Sequence, residues 1–368
     1  MRDPREFADR ISDLQLSLLT AFAVAGGNYL VMPRLVVHTA GRDGWLTLLL
    51  AGLFIALAAG SIARLQLKFP GRTAVAYNEA LLGAFFGKVL SLWLLLHFLV
   101  AASAQLRLVT DSIKFFLLPQ TPPEVTMGTM LFVAAYAVRH GINALARLAQ
   151  VFFPIVFVFL VLIFLLFQTS VDYHNLLPIA AQGWGPLALG TLAALGAYQG
   201  YGQMVFTMAF LHRPDQGAGA VWRGLALVAA VYTVTYIIAI AVLGPQHLAG
   251  LLYPILDLTR ALDFPALLFE RAEILMIVVW LLAAYLGLAI AFYLVALGSM
   301  QLLHLEKHDP LVYLLLPAFF CIARVPANLT ELEQLGRWVL LSFVLLSLTY
   351  AVLLPVVAFF LRGRRSRA

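Results

Sequence analysis

The side chains able to do chemistry are few, and they fall in a handful of places. Ala25, Gly26, Gly27 and Asn28 interrupt one long apolar run. Gly196, Tyr198, Gln199, Gly200, Tyr201 and Gly202 interrupt another. Each glycine weakens a helix by about 1 kcal/mol relative to alanine, so both segments are expected to unwind. In lipid, unwound backbone is tolerated only where it is buried in protein or lines a cavity. Its free groups then act as partial charges: half-helix N-termini favour a carboxylate, and carbonyls or C-termini receive an ammonium. No Asp, Glu, Lys or Arg lies near either break, so the chemistry suits a zwitterion held by peptide groups. Gly196 and Gly200 also match a small-xxx-small packing spacing, and that alternative stays open.

The remaining candidates are single side chains. His97 is the one ionisable group clearly at mid-depth, a ligand contact or proton relay by type, or else a neutral histidine bonded to a neighbouring helix. Ser103 and Gln105 follow it, with Gln105 expected near the outer end of its helix. Tyr198, Gln199 and Tyr201 can hydrogen-bond a ligand or fill space between helices. Tyr285 and Tyr293 share a helix face, with Tyr285 the candidate pocket contact. Glu270, Arg271 and Glu273 form a charged cluster before a helix, suited to gating or subunit contact, or to a structural ion pair. Arg107 and Asp111 are spaced for an i,i+4 pair. His304 and His308 flank Glu306 but do not reproduce H-E-x-x-H, and a solvated loop is expected. Phosphate loops, dinucleotide fingerprints and nucleophile elbows are absent from the sequence. Neither an enzyme nor a bound metal or cofactor is expected.

The elements that must position these residues follow from composition. Of 368 residues, 11% are charged and 62% hydrophobic, and the mean hydropathy is +0.93. Soluble domains carry about 25% charge. Too few charges remain to cover a water-facing surface, which argues against soluble enzymes and nucleic-acid binders. The net charge of +6 fits basic loops facing the cytoplasm, and the tail Arg362, Arg364, Arg365 and Arg367 suits an anionic leaflet. A span needs about 20 apolar residues. Charge-free runs give ten candidates: Leu14–Pro33, Gly44–Ala63, Val89–Leu106, Val125–Val138, Leu148–Val171, Pro186–Leu211, Gly224–Leu256, Ile274–Leu305, Leu311–Ala323 and Trp338–Leu361. The first is read as a helix rather than a cleaved signal. Placing both termini in the cytoplasm leaves Arg34, Arg42, Arg107, Lys114, Arg260, Arg271, Arg324 and Arg337 outside and the other sixteen of 24 basic residues inside, as the positive-inside rule favours. Breaks in spans one and six point to an inverted repeat with a site near the midplane. The expectation is one all-α membrane domain over 1–368, with five-helix halves at 11–170 and 184–362 and a basic tail at 363–368.

Four stretches resemble a known family. They are Gln15 with Gly26–Pro33; Leu118-Pro119-Gln120-Thr121-Pro122; Gly141-Ile142 through Ala146-Arg147 with Asn175 to Pro178; and Phe269-Glu270-Arg271-Ala272-Glu273. Together they resemble the spore germination proteins, the B subunits of nutrient germinant receptors, within the amino-acid/polyamine/organocation transporter superfamily. The resemblance implies a leucine-transporter-like fold with broken helices 1 and 6. It also implies an inner spore-membrane location, sensing of small nutrients such as amino acids, and A-type and lipoprotein C-type partner subunits. The expected ligand-binding set is Ala25, Gly26, Gly27, Asn28, His97, Gly196, Tyr198, Gln199, Gly200 and Tyr285. The alternative is a proton- or sodium-coupled amino-acid symporter. His97 is its sole titratable candidate, so a sodium site would need carbonyls and hydroxyls.

Overall fold

A computed structural model describes residues 10–167, 171–178, 183–260 and 272–365. The chain opens with α1 (Asp13–Asn28), fixed by a capping box: the Gln15 amide donates to Ser12 Oγ at 3.2 Å while the Ser12 amide donates to Gln15 Oε1 at 2.9 Å. A turn at Tyr29–Val31 separates it from α2 (Met32–Ala40), and α3 (Gly44–Gln66) follows. α4 (Ala74–Phe116) is sharply bent at Gly83, whose φ of 80° is left-handed and open to glycine at little cost. α5 (Pro123–Arg139) and α6 (Gly141–Phe167) come next. α7 (Trp184–Leu195) passes into a 3-10 run over Gly196–Gln203, then α8 (Met204–Thr207) and a last 3-10 turn. α9 (Gly217–Leu243), the short α10 (Pro245–Gly250) and α11 (Pro254–Arg260), α12 (Ala272–Leu302) and α13 (Asp309–Arg324) follow. The chain closes with α14 (Leu329–Leu348), joined through a π-turn to α15 (Leu354–Arg365).

Among the described residues, six stretches are long and apolar enough to cross a membrane: Met32–Gln66, Ala74–Phe116, Gly141–Phe167, Pro214–Leu243, Ile274–Leu302 and Leu329–Leu361. The first, fourth and ninth expected spans fall on α1, α5 and α13, which are shorter at 16, 17 and 16 residues. The seventh differs from expectation. Gly224–Leu256 reads as one run, but α9 stops at Leu243, where Gly244 adopts φ 72° and Pro245 starts a new short helix.

Burial sorts the helices into a core and a lipid-facing belt. α12 packs along α1 and α4, and α1 also packs on α9. On α6, Val151, Ile155, Val158, Leu162 and Leu165 are exposed at three- and four-residue spacing, a continuous apolar stripe on the outer surface. In water such a stripe would be unfavourable, whereas in a bilayer it meets its natural solvent.

Candidate functional site

The two interruptions meet. Asn28 Nδ2, at the end of α1, donates to the Gly196 carbonyl at 3.0 Å. α1 stays helical through Asn28 and unwinds at Tyr29–Val31, so its break lies a turn later than the glycines suggested. Gly26 instead serves close packing, because a Cβ there would collide with the Ala283 carbonyl oxygen on α12. Gly200 does the same for the other broken element, its α-carbon facing the Ala23 carbonyl oxygen. The small-residue packing reading therefore applies at Gly200, although this residue also borders the cavity described below.

Tyrosines hold the breaks from behind. Tyr232 OH on α9 reaches the Val24 carbonyl at 3.0 Å and the Ala197 carbonyl at 3.3 Å, one from each broken helix. Its ring stacks on Tyr29, centroids 6.1 Å apart, and tilts against Tyr198 at 5.6 Å. Tyr29 OH pairs with Thr235 Oγ1 at 3.2 Å, and Tyr198 OH donates to the Leu48 carbonyl at 3.0 Å. All three tyrosines are buried. Buried hydroxyls must find a partner in an apolar surround, and these find theirs on Thr235 and on carbonyls within helical turns.

In front of the breaks lies a cavity of about 520 Å³. Arg34 of α2 and Glu333 of α14 pair at 3.0 Å at its mouth, with Arg337 beside them. Deeper, the polar lining is made of amides and one imidazole: Asn28, Gln105, Gln199, Gln203 and His97. Gln105 Nε2 donates to the Ala284 carbonyl on α12 at 2.9 Å. Among the described residues the lining contains no Ser or Thr; Tyr253 supplies a hydroxyl, Arg34, Glu333 and Arg337 supply its formal charges, and His38 also borders it.

Of the residues expected at the site, Gly27, Asn28, His97, Gly196, Gln199 and Gly200 border the cavity. Ala25, Gly26 and Tyr198 face protein instead. Tyr285 points to α5, donating to the Val133 carbonyl at 3.1 Å, with its ring near Phe152. Tyr201 is buried against Phe343. Glu270 and Arg271 lie outside the described residues, as does the side chain of Glu273. Gln203, Phe98 and the α12 wall of Gly287, Ile290 and Leu294 escaped sequence reasoning, as did the central place of Gln105. Amides within apolar runs were the available signal for both glutamines.

A second vestibule of about 960 Å³ opens on the far side. Arg10, Arg72, Arg139 and Lys307 border it, and Tyr293 forms part of its wall. Phe98, on the wall of the first cavity, packs against Phe206 at 6.4 Å, and Phe210 packs against Tyr293 on the wall of the second at 6.3 Å. A parallel bridge pins the approaches together. The Ile11 amide donates to the Phe210 carbonyl at 2.9 Å, and the His212 amide to the Ile11 carbonyl at 3.1 Å. Among the described residues no cluster of His, Cys, Asp and Glu is placed to hold a metal. His308 packs on the Tyr293 ring, and Arg107 pairs with Asp111 at 2.9 Å.

This geometry has known counterparts. Spore germination protein YndE of Bacillus subtilis (strain 168) is 28% identical over 330 residues, covering 89% of this chain and 90% of its own. Spore germination protein B2 of the same organism is 26% identical over 344 residues, with 93% of each covered. GerLB of Bacillus cereus is 24% identical over 339 residues, with 91% of each covered. Among solved structures, the nucleobase-cation-symport-1 family transporter Mhp1, closed with bromovinylhydantoin bound, superposes with a TM-score of 0.66 at 15% identity, over 98% of this chain and 80% of its own. MhsT in complex with L-phenylalanine gives 0.66 at 16% identity, over 92% and 91%. At such identities the likeness shows the fold, an all-helical membrane-transporter fold of leucine-transporter type. The sequence profile described as spore germination protein matches residues 10–332, and the chain belongs to that family.

Proposed function

We propose that this chain is a membrane-embedded nutrient-sensing subunit of a spore germination receptor, and that it holds a small ligand, an amino acid in the first instance, between the breaks. One observation carries the reading. Asn28 ties the end of α1 to Gly196 at the edge of a cavity whose formal charges, among the described residues, are Arg34, Glu333 and Arg337 at its mouth. The unwound ends then supply the electrostatics. The N-terminus of α2 has no side-chain cap and suits the carboxylate, and the α1 carbonyls suit the ammonium. Gly27, Asn28, His97, Gly196, Gln199 and Gly200 contact the ligand. Ala25, Gly26, Tyr198 and Tyr285 belong to the supporting scaffold rather than to the contacts.

The same reading takes the chain as ten spans in two inverted five-helix halves, 11–170 and 184–362, with both termini and the tail 363–368 in the cytoplasm. Its membrane is the inner spore membrane. A-type and C-type subunits read the ligand-induced shift, which requires only that the ligand bind one state better than another. Glu270, Arg271 and Glu273 are the proposed gating or subunit-contact cluster. The deciding experiment is thermal unfolding of the purified chain in nanodiscs against a panel of amino acids and sugars. Saturable stabilisation by an amino acid supports the reading, and none across the panel refutes it.

The second vestibule favours a competing reading as a symporter, because two cavities in one helical core resemble the two ends of a pathway. Concentrative, uncoupler-sensitive uptake into proteoliposomes would decide for it.

A further inference from the structure

Gln203 is 1% exposed, and neither its Nε2 nor its Oε1 meets a hydrogen-bonding partner in the protein. His97 is 7% exposed, and its Nδ1 also meets none. Both border the cavity. They share one depth, since the Phe98 ring lies against Phe206 and faces Gly202, so α4 and the 3-10 run cross here. A buried polar group without a partner costs about 1–3 kcal/mol. Packing alone gives no reason for two such groups at the closed end of one cavity.

The depth sets a length. His97 and Gln105 are eight residues apart on α4, about 12 Å along a helix axis. Gln105 stands opposite the breaks, bonded to the Ala284 carbonyl and facing Gly27. With hydrogen bonds of about 3 Å at each end, the interval accepts a molecule whose polar ends are about 6 Å apart. A zwitterionic head at the breaks puts its other end on the floor. That end is uncharged, because among the described lining residues Arg34, Glu333 and Arg337 at the mouth carry the only formal charges and an unpaired buried charge is far costlier. Gln203 carries one donor group and one acceptor side by side, both closed off from the cavity until the side chain turns toward a ligand, and together they are the complement of a second carboxamide.

We propose that Gln203 and His97 form a floor subsite for a side-chain carboxamide, so that the ligand class is an amino acid of asparagine or glutamine type. The inference rests on the reading of the cavity given above.

Near-isosteric ligands test it in the wild-type chain, by calorimetry or thermal shift of the full-length protein in nanodiscs. Asparagine is compared with leucine, and glutamine with methionine. The amides are expected to bind at least about tenfold tighter, since sites built to hydrogen-bond a polar group reject the analogue lacking it. Gln203→Leu should abolish that preference while leaving leucine and methionine no weaker. Equal or tighter binding of the apolar pair overturns the subsite but leaves the cavity reading standing. Retention of the preference in Gln203→Leu removes Gln203 from the subsite. Absence of binding by any amino acid overturns this inference and the cavity reading together. Should Gln203→Leu not fold, the wild-type comparison decides alone.

Discussion

Asn28 and Gly196, 168 positions apart in sequence, are joined by one hydrogen bond of 3.0 Å from side-chain amide to backbone carbonyl. The bond does two things. It gives a partner to a carbonyl at the start of the 3-10 run, and it fixes the spacing between that run, which tightens into a 3-10 helix rather than unwinding as expected, and the turn after α1. Where peptide groups hold the ligand, the geometry of the site depends on ties of this kind.

Removing the tie should therefore affect binding more than folding. Asn28→Ala forfeits one hydrogen bond, worth about 0.5–1.5 kcal/mol net, and leaves the Gly196 carbonyl facing the cavity, where water can reach it. We expect a modest drop in unfolding stability in detergent and a loss of amino-acid affinity of about tenfold or more. Equal losses in both would mean that Asn28 is purely structural.

Two tyrosines separate scaffold from surface. Tyr232→Phe keeps the ring against Tyr29 and Tyr198 but strips the hydroxyl that serves carbonyls on both broken helices. Those carbonyls also lie within helical turns, so losing the hydroxyl should cost about 0.5–1.5 kcal/mol. Tyr285→Phe loses a bond to Val133 at a partly exposed position away from the cavity, so its change should stay within about 0.5 kcal/mol and ligand affinity should not move. Chemical unfolding of both variants in one detergent checks the contrast.

Much of this architecture was legible in the residues. The apolar runs mark where the long helices lie because a bilayer rewards uninterrupted apolar length, while the glycines clustered in two of them fell one turn before the break after α1 and within a 3-10 run rather than an unwound segment. What the pattern could not give was direction. Gly26 and Gly27 are adjacent, yet one faces α12 and the other the cavity, a difference set by rotation about the axis of α1. Tyr198 and Gln199 divide the same way, one bonded to Leu48 and the other at the cavity. Gln203 and Gln105 were hidden for a related reason, since their importance comes from helices that cross far apart in sequence.

That rotation makes neighbouring glycines behave oppositely. Gly26→Ala drives a methyl group into the Ala283 carbonyl, a backbone atom that cannot swing aside. Overpacking of this kind costs about 1–3 kcal/mol or more, and poor recovery of folded protein is expected. Gly27→Ala meets nothing nearer than Gln105 Oε1 at 3.9 Å. It should fold normally and, by filling space beside the ligand, weaken binding of larger amino acids. Size-exclusion profiles and ligand titrations of the pair distinguish the two outcomes.

The last expectation concerns the bridge at the far vestibule. The Ile11 amide donates to the Phe210 carbonyl, joining the approach to α1 with the end of the second broken element. Proline carries no N–H, so Ile11→Pro deletes that bond and should loosen the closure. Ala209 borders the same vestibule and is partly buried, which makes Ala209→Cys a reporter once the single native cysteine, exposed Cys321, is replaced by serine. Labelling by a membrane-impermeant thiol reagent should rise several-fold in the proline variant, beyond any rise that follows from losing the buried Ile11 side chain. That loss costs about 1–3 kcal/mol, and Ile11→Val and Ile11→Ala controls that keep the N–H gauge it separately. If the amino-acid ligand then slows labelling, it favours the closed arrangement over the open one, as a ligand must if it shifts an equilibrium between two states. A labelling rate indifferent to both proline and ligand would mean that the Ile11 bridge does not restrict access to Ala209 from this vestibule.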